Sequence, residues 1–382
     1  MRVLMVSAHG ADAWRGGVER GLHLVAGELM ARGVEVSVLR AGAGGDGNGV
    51  RVMSLFDRSA ENTSSRVRNR LIDLASHPSA RLHAIVEREA PDVIHTHNLP
   101  GISTAVWKVA QRHSIPVVHS LHDYYLLCPR MTLMTRGGEL CGAHPVCELR
   151  RRRLAAPASA VAVVTGVSMA LLRAHAQIFT RARLEVLRNP MAAYNDTAFP
   201  EANRSPLTIG YIGSLAPEKG TYALLDAAAR LQGLPCEIHI AGTGRLAKLV
   251  TSRTASLPNL HYHGSVKGEA KERFIARCDV GIIPSVWAEP GGPTQALIEW
   301  LTARRPVLLS RRGGLAECAS LGGTVAIEPT AASLETEVRR LLDDGFQEKL
   351  AGSIGTWDKD EELARWVDRH LDLYALARGA AS

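Results

Sequence analysis

Short apolar runs that alternate with helical segments are the feature of this sequence that most restricts its fold. In the first half, periodic segments such as 18–31 and 103–112 lie between runs with the length and composition of strands. Strands that are apolar throughout occur in parallel sheets covered by helices, so the alternation predicts the α/β class. The strands predicted in this half are residues 3–6, 34–39, 93–95, 117–121, 161–164 and 184–187.

A second series of the same kind begins at Leu207. Residues 191–206 before it are polar and lack periodicity, which predicts an interdomain linker. The 382 residues suit about two α/β domains of ordinary size. We expect an N-terminal domain over 1–190, a C-terminal domain over 207–357 and a helix over 358–382 that packs back on one of them, the N-terminal domain in our interpretation. The strands predicted in the second series are IGYIG, EIHIAG, LHYHG, VGIIP, PVLLS and TVAIE.

The composition, with 46% hydrophobic and 22% charged residues, is typical of a soluble globular protein. The net charge of +7 suggests an anionic partner. Because no basic stripe is interleaved with aromatic residues, we expect no nucleic-acid binding. The dense basic run is interpreted as a solvated helix face, with peripheral contact to a phospholipid surface as the alternative. This run consists of Arg150, Arg151, Arg152 and Arg153.

The apolar run at the N-terminus is too short for a signal sequence, and no apolar run in the sequence is long enough to span a membrane. The six cysteines follow no paired secreted framework. We therefore expect a reduced, cytoplasmic chain, with the inner face of the membrane as the alternative location. Cys128, Cys141 and Cys147 cluster with His144, which leaves a zinc site open, although the spacing matches no common ligand pattern.

Residues 281–311 predict a strand, a glycine-containing loop, a helix and a further strand. Unpaired N–H groups at such a helix N-terminus favour an anion. Glu289 in the loop and Glu299 in the helix would suit sugar and ribose hydroxyls. The alternative is an ordinary βαβ unit whose glycines, Gly291 and Gly292, only make the turn.

Glycines also recur where the first strand of each half ends. Gly16 and Gly17 directly precede a predicted helix, and Gly213 is followed by the segment PEKG, in which Lys219 could neutralise a diphosphate. A turn requirement explains each pair equally well. Neither fits the dinucleotide fingerprint, and the formal match at 42–47 opens no helix, which argues against a nicotinamide or flavin enzyme.

Histidines concentrate at two further strand ends, in HTHN at 95–98 and HSLHD at 119–123. Because side chains alternate along a strand, only the last histidine of each segment is well placed to reach a cleft. His122 is the best candidate for substrate contact. No carboxylate orienter or third ligand supports a metal site here, and the commonest hydrolase and nucleotidase motifs are absent from the sequence.

The order of these segments resembles the retaining, nucleotide-sugar-dependent glycosyltransferases of family 4. The resemblance covers nearly the whole chain and implies the GT-B fold, in which two Rossmann-like, doubly wound domains face a central cleft. No single motif decides it, but the set is specific. The segments are GGVE at 16–19, PDVIHTHN at 91–98, PVVHSLHDYYLLCP at 116–129, VLRNP at 186–190, GYIGSLAPEKG at 210–220, IHIAGTG at 238–244 and 281–311.

The resemblance implies roles for individual residues. His122 and Glu289 would lie at the transferred sugar, Lys219 at the donor phosphates and Glu299 at the ribose. The other implied donor-binding residues are Gly16, Gly17, Gly213, Ser214, Gly291 and Gly292. The half that receives acceptors in the family contributes His97, Asn98, Asp123 and Tyr124. The family implies no metal and no cofactor beyond the nucleotide-sugar donor.

Two departures from the family pattern bear on these roles. Ser214 stands where the family commonly has an arginine, so one phosphate-neutralising charge is missing or supplied elsewhere. Nine residues separate Glu289 from Glu299, more than in the family. If Thr294 caps the helix, Glu299 still falls in its second turn. Two alternatives to a glycosyltransferase stay open, a sugar-nucleotide 2-epimerase on the same fold and a non-catalytic nucleotide-sugar-binding protein. The sequence identifies neither the sugar, the base, the acceptor nor the oligomeric state.

Overall fold

A computed structural model describes residues 1–8, 17–42, 49–56, 72, 75–142, 144–191, 205–343 and 345–380. Gly16, the formal fingerprint at 42–47 apart from its first residue, and nearly all of the predicted linker lie outside the described residues. The contacts between residues divide the chain into two compact units. Unit 1 comprises Met1–Leu133, Gly142–Asn189 and Ala364–Ser382, and unit 2 comprises Met134–Cys141 and Pro190–Leu363.

Unit 1 contains a parallel sheet with helices between its strands. In the described part of the unit the sheet has seven strands in the order β3-β2-β1-β4-β5-β6-β7. All six strands predicted for this half are confirmed. The strands are β1 Arg2–Ser7, β2 Glu35–Arg40, β3 Arg51–Ser54, β4 Val93–Thr96, β5 Val117–Leu121, β6 Val161–Gly166 and β7 Arg183–Val186; the helices are α1 Gly17–Ala31, α2 Ala80–Glu89, α3 Ala105–Arg112, α4 Pro145–Ala155 and α5 Met169–His175.

Unit 2 repeats this arrangement. Its parallel sheet has six strands in the described residues, in the order β10-β9-β8-β11-β12-β13, and all six predicted strands are confirmed. The strands are β8 Leu207–Ile212, β9 Cys236–Ala241, β10 Leu260–Tyr262, β11 Val280–Ile283, β12 Val307–Ser310 and β13 Thr324–Ile327; the helices are α6 Thr221–Arg230, α7 Ala247–Thr254, α8 Glu269–Arg277, α9 Gln295–Thr302, α10 Ala331–Leu341 and α11 Phe346–Gly352. A last helix, α12, spans Lys359–Gly379.

The strand order of both sheets reverses beside the first strand of each unit, as in doubly wound folds. In unit 2, the buried ring of Trp300 fixes helix α9 against the sheet near this reversal. A Cβ atom at Gly210 or at Gly281 would lie 2.5 Å from the Trp300 ring, so the two glycines make room for it. The tryptophan thereby sets the position of the helix that carries Glu299.

The C-terminal part of α12 belongs to unit 1. The hydroxyl oxygen of buried Tyr374 lies 2.8 Å from His95 Nδ1. Arg369 forms an ion pair of 2.7 Å with Glu185. Residues 134–141 belong to unit 2, whereas the predicted domain ranges place them in the N-terminal domain. None of the helices in the described residues is long and apolar enough to cross a membrane.

The basic run lies on α4 and contacts its own unit. Arg150 donates a hydrogen bond of 2.7 Å to Tyr125 O, and its guanidinium lies 4.7 Å from the centre of the Tyr125 ring. Arg151 and Arg152 pair with Glu148 at 3.2 and 3.0 Å. These contacts agree with a helix face that is partly solvated, and membrane association stays a prediction.

Candidate active site

The carboxyl ends of β8 and β11 are neighbours at the point where the strand order of unit 2 reverses. β8 pairs with β9 on one side and with β11 on the other. Ligands of doubly wound sheets bind at such a point, beyond the carboxyl ends of the strands. Lys219 follows β8, Glu289 follows β11, and Lys219 Nζ lies 2.6 Å from Glu289 Oε1. The structure thus brings together two residues that were predicted from separate motifs.

Backbone contacts between the two loops hold this pair in place. Glu218 O accepts hydrogen bonds of 3.0 and 3.3 Å from two N–H groups of the loop after β11. Gly220 has a φ of 77°, and a Cβ atom there would lie 1.8 Å from Pro284 O. Only glycine fits such a position. The glycine of PEKG is therefore required for the loop packing that places Lys219 beside Glu289.

Glu289 is a buried carboxylate with satisfied hydrogen bonds. The residue is 4% exposed, and its Oε1 also accepts a hydrogen bond of 2.6 Å from Ser285 Oγ. Lys219 Nζ lies 4.9 Å from the centre of the Trp287 ring. A buried charge is tolerated when it is paired and hydrogen-bonded, which is the situation here. The arrangement places a buried, hydrogen-bonded carboxylate and its paired ammonium beyond the carboxyl ends of β8 and β11.

Glu299 lies in the second turn of α9, as predicted. The Thr294 side chain caps this helix by accepting a hydrogen bond of 3.3 Å from Leu297 N. Glu299 is 4% exposed, and its Oε1 lies 2.7 Å from Lys271 Nζ on α8 and 3.2 Å from Gln295 Nε2. The carboxylate is therefore oriented from two helices. Its contact with a ribose stays a prediction.

The paired glycines after β11 pack against a second glycine pair after β12. A Cβ atom at Gly292 would lie 2.2 Å from Gly314 O, and Gly314 N donates a hydrogen bond of 2.6 Å to Glu289 O. Gly291 has more room, since its nearest neighbour would lie at 3.5 Å. Loop packing alone accounts for Gly292, and the donor contacts of both glycines stay predictions.

Ser214 is exposed, and Tyr211 donates a hydrogen bond of 2.9 Å to its backbone oxygen. A cation reaches the neighbouring PEKG segment from another loop, because Arg245 Nη2 lies 2.5 Å from Glu218 Oε2. A Cβ atom at Gly244 would lie 2.4 Å from Leu215 O, so the loop carrying Arg245 packs directly against residues 213–216. A Cβ atom at Gly213 would likewise lie 2.9 Å from the Tyr211 hydroxyl.

Sequence reasoning missed Arg245 and also missed Ser285 and Lys271, which hold the two carboxylates. The glycine before Arg245 was the available signal, since it marks a close approach of the backbone. Ser285 directly follows β11 and had a weak signal from its place at a strand end. Lys271 lies on a helix outside every motif and had none.

In unit 1, His122 lies beside His97, with His97 Nδ1 3.1 Å from His122 Nε2 and the two rings stacked. Burial, and to a smaller extent His370, lowers the pKa of His122 to about 4, so the imidazole is neutral near pH 7. A cavity within unit 1 is lined by both histidines and by α1, the helix that Gly17 begins. Val18 and Gly21 are among the α1 residues that line the cavity, and Ser120, Thr165 and His370 line it from other elements.

The other residues predicted on the acceptor side have different surroundings. Asn98 O accepts a hydrogen bond from Ala8 N, and the Asp123 carboxylate accepts one of 2.7 Å from Tyr125 N. Burial raises the pKa of Asp123 to about 6. Tyr124 is 2% exposed. Of the four predicted residues, all within the described part of unit 1, His97 alone is among those that line the cavity.

The zinc site considered for the cysteine-containing loop finds no support in the described residues. None of the six cysteines, all of which lie in the described part of the chain, forms a disulfide. Cys128 is buried in unit 1 and Cys141 belongs to unit 2. Where the described side chains do gather as three ligand-type groups, the residues are Glu237, His239 and His261 of unit 2.

Two family models match the chain. The model described as Glycosyltransferase Family 4 matches residues 15–192, and the model described as Glycosyl transferases group 1 matches residues 206–344. The chain belongs to these glycosyltransferases. The two matched ranges correspond to the two halves that the strand pattern indicates, and they include the candidate residues of both halves of this glycosyltransferase.

Known proteins similar to this glycosyltransferase include one from Klebsiella pneumoniae and one from Streptomyces kanamyceticus. An uncharacterized 42.6 kDa protein in the cps region of Klebsiella pneumoniae is 27% identical over 321 residues, which cover 79% of this chain and 83% of the relative. Alpha-D-kanosaminyltransferase of Streptomyces kanamyceticus is 28% identical over 259 residues, which cover 62% of this chain and 64% of that relative.

The crystal structure of Anabaena Alr3699/HepE in complex with UDP is similar in fold. It has a TM-score of 0.70 and 16% sequence identity, and the match covers 98% of this chain and 100% of that chain. At this identity the likeness shows the fold alone. It confirms the predicted GT-B class.

Proposed function

We propose that this protein transfers a glycosyl group from a nucleoside diphosphate sugar to an acceptor hydroxyl, with retention of the anomeric configuration. The observation that carries the proposal is the Lys219–Glu289 pair of 2.6 Å at the reversal of strand order in unit 2, where doubly wound sheets bind ligands. Two of the similar proteins support it, since one is Alpha-D-kanosaminyltransferase and the other, Anabaena Alr3699/HepE, is in complex with UDP.

Stabilising the departing diphosphate is the main chemical difficulty of this transfer. Positively charged groups beside the charge that develops in the transition state usually contribute most to the acceleration of such a step. Lys219 would supply one charge by turning from Glu289 to a phosphate, while Ser285 keeps the carboxylate hydrogen-bonded. We propose that Arg245 supplies the second charge, which the family commonly takes from the position of Ser214. No metal ion enters this mechanism.

Retention would follow from substitution on one face of the sugar. The bond from the anomeric carbon to the diphosphate oxygen breaks, the bond to the acceptor oxygen forms on the same face, and the departing phosphate takes the acceptor proton. The neutral imidazole of His122 would bind a sugar hydroxyl, and Glu289 would bind another. Glu299, held by Lys271 and Gln295, would bind the ribose.

An assay with and without acceptors tests this proposal. Purified protein is incubated with UDP-, GDP-, dTDP- and ADP-sugars and with glycan, lipid-linked or small-molecule acceptors, and nucleoside diphosphate release is measured. Release that depends on an acceptor, with an α-linked product from an α-linked donor, is expected. Conversion of the donor without any acceptor would establish the 2-epimerase instead. Donor binding without release in any mixture would establish a non-catalytic binding protein.

A further inference from the structure

Three histidines and a glutamate lie together on β9, on the edge strand β10 and directly after β10. The glycosyltransferase proposal uses none of them. Glu237 and His239 are two residues apart on β9, so they project from the same face of the sheet. His261 on β10 is paired in register with His239. His263 follows β10 and continues the same alternation.

The potential ligand atoms of Glu237, His239 and His261 converge on one point. His239 Nε2 lies 3.1 Å from Glu237 Oε2, and His261 Nε2 lies 3.5 Å from the same oxygen. The three ligand atoms all lie within 4.8 Å of one another. Ligands about 2.0–2.1 Å from a tetrahedral zinc ion are separated by about 3.4 Å, so two of these separations already match such a site.

Burial and hydrogen bonding add an independent observation. The side chains of His239 and His261 are 16% and 39% exposed, yet His261 Nε2 itself is buried and none of the described residues offers it a hydrogen bond. A buried polar atom without a partner carries a free-energy cost. A cation between the three side chains would use this lone pair.

We propose that Glu237, His239 and His261 form a binding site for a divalent transition-metal ion, best suited to Zn²⁺. Two imidazoles and one carboxylate are a common zinc ligand set, and such a set leaves a fourth position for water. The bound ion would join the three-residue edge strand β10 to β9. We therefore expect the ion to stabilise unit 2 without taking part in glycosyl transfer.

His263 would orient one of the ligands. His239 Nδ1 lies 3.0 Å from His263 Nε2. If His239 carries its proton on Nδ1 and donates it to His263, its Nε2 lone pair faces the ion. Histidine ligands of metals are regularly held in this way by a second hydrogen-bonding group.

One neighbouring group opposes the binding of a cation. The positive charge of Arg277 on α8 acts electrostatically on both His239 and His263. Replacing it with a neutral residue of similar shape, Arg277→Gln, should therefore tighten metal binding. A metal bound elsewhere on the chain would not respond to this change.

Titration of the chelator-treated, full-length protein with ZnCl₂ in a calorimeter tests the proposal. We expect one equivalent to bind at this site. His261→Gln or Glu237→Gln should weaken that equivalent at least about a hundredfold, because even the loss of an outer partner costs about 10–100-fold. His263→Ala should weaken it about tenfold. Thermal unfolding without metal shows whether each variant is folded, and the isosteric Glu237→Gln is the mildest change.

Matched controls separate this site from other metal ligands. His83→Gln with His113→Gln removes another close histidine pair, 3.4 Å apart, and should leave the titration unchanged. Glu289→Gln, at the candidate active site, should also leave it unchanged, so failure of either proposal is distinguishable. Co²⁺ in the site should show four-coordinate bands without a thiolate charge-transfer band. Absence of saturable binding, a thiolate band, or equal binding by wild type and His261→Gln would overturn the proposal.

Discussion

Glu289 has one carboxylate oxygen that accepts from both Lys219 and Ser285, each at 2.6 Å. Its negative charge, and not only its shape, would then matter for the reaction. We predict that Glu289→Gln lowers kcat/KM at least about tenfold, equivalent to about 1.4 kcal/mol of transition-state stabilisation. Steady-state kinetics of acceptor-dependent nucleotide release measure this effect. Ser285→Ala keeps the charge and should have the smaller effect; a near-wild-type rate for Glu289→Gln would show that Glu289 is not a catalytic residue.

His122 is predicted to contact the transferred sugar as a neutral group. His122→Ala should lower turnover at least about tenfold, again about 1.4 kcal/mol. His83→Ala, at a partly exposed position of the same unit, is the control for a general effect of losing a histidine. If His122→Ala retains full turnover while remaining folded, His122 has a structural role beside His97.

Arg245 is predicted to replace the family arginine that is absent at Ser214. Arg245→Gln should raise KM for the donor about tenfold and change the melting temperature little, because the side chain is half exposed. Ser214→Arg in the same protein should restore donor affinity. The comparable surface pair of Arg230 and Glu335, 3.4 Å apart, supplies the control Arg230→Gln. An unchanged KM for Arg245→Gln, or a raised KM that Ser214→Arg does not lower, would contradict this role.

Individual residues of the candidate site were predictable where their chemistry is carried by a local motif. Lys219 and Glu289 stand in short segments with glycines at strand ends, and the structure brings them together. Lys271 pairs with Glu299 across two helices and has no local pattern, so only tertiary packing reveals it. The close approach of Arg245 to Glu218 likewise depends on the packing of two loops.

At the scale of elements, the loops after β8 and β11 depend on Gly220. Gly220→Ala should reduce the free energy of unfolding of unit 2 by well over the roughly 1 kcal/mol that a left-handed backbone costs, because the new Cβ would also lie 1.8 Å from Pro284 O. Urea unfolding measures the loss. Gly233 has a similar φ of 81° but open space around its Cβ position, so Gly233→Ala should show the backbone cost alone. Equal losses in the two variants would contradict the steric account.

The strands were predictable because each is a short apolar run bounded by turn residues. Helix α9 was predictable down to its cap, since Thr294 stands before the periodic segment and accepts the expected hydrogen bond. Strand β3, by contrast, has a mixed pattern and was not predicted. Residues 134–141 make their contacts with unit 2 through tertiary packing, which no periodicity in the sequence shows.

On the scale of the whole molecule, unit 1 contains several histidines that burial keeps neutral. Burial lowers the pKa of His119 to about 3 and the pKa values of His175 and His370 to about 4. The unfolded chain binds protons at these groups near pH 6.5, whereas the folded chain does so only near their lowered pKa values. Their stabilising effect is therefore complete above pH 6.5 and is lost as the pH falls, by about 1.4 kcal/mol per pH unit for each histidine.

We predict that the protein unfolds at a lower temperature at pH 5.5 than at pH 7.5. Asp123 opposes the trend, since its raised pKa of about 6 favours the folded state as the pH falls below that value, but at least four buried histidines of the unit, His122 among them, act in the other direction. Thermal unfolding at the two pH values measures the difference. His119→Asn should reduce it, and the control His83→Asn should not. Equal melting temperatures at both pH values would show that the buried histidines do not govern acid stability.

The two series of strands and helices were sufficient to predict two doubly wound sheets, because each apolar run needs burial on both faces. The grouping of residues 364–382 with unit 1 rests on contacts such as Tyr374 with His95, which the amphipathic pattern of the helix leaves undetermined. Acceptor identity depends on surfaces that no motif encodes.

We propose that Lys219 and Glu289 belong to a site for a nucleoside diphosphate sugar. A thermal-shift comparison of wild type and Lys219→Met against UDP-, GDP-, dTDP- and ADP-sugars and the free nucleotides tests it most directly, since a ligand at a hundred times its Kd stabilises the folded state by about 2.7 kcal/mol. One nucleotide series should raise the melting temperature of the wild type and have much less effect on Lys219→Met. No shift with any donor at millimolar concentration, or equal shifts in both proteins, would contradict the account.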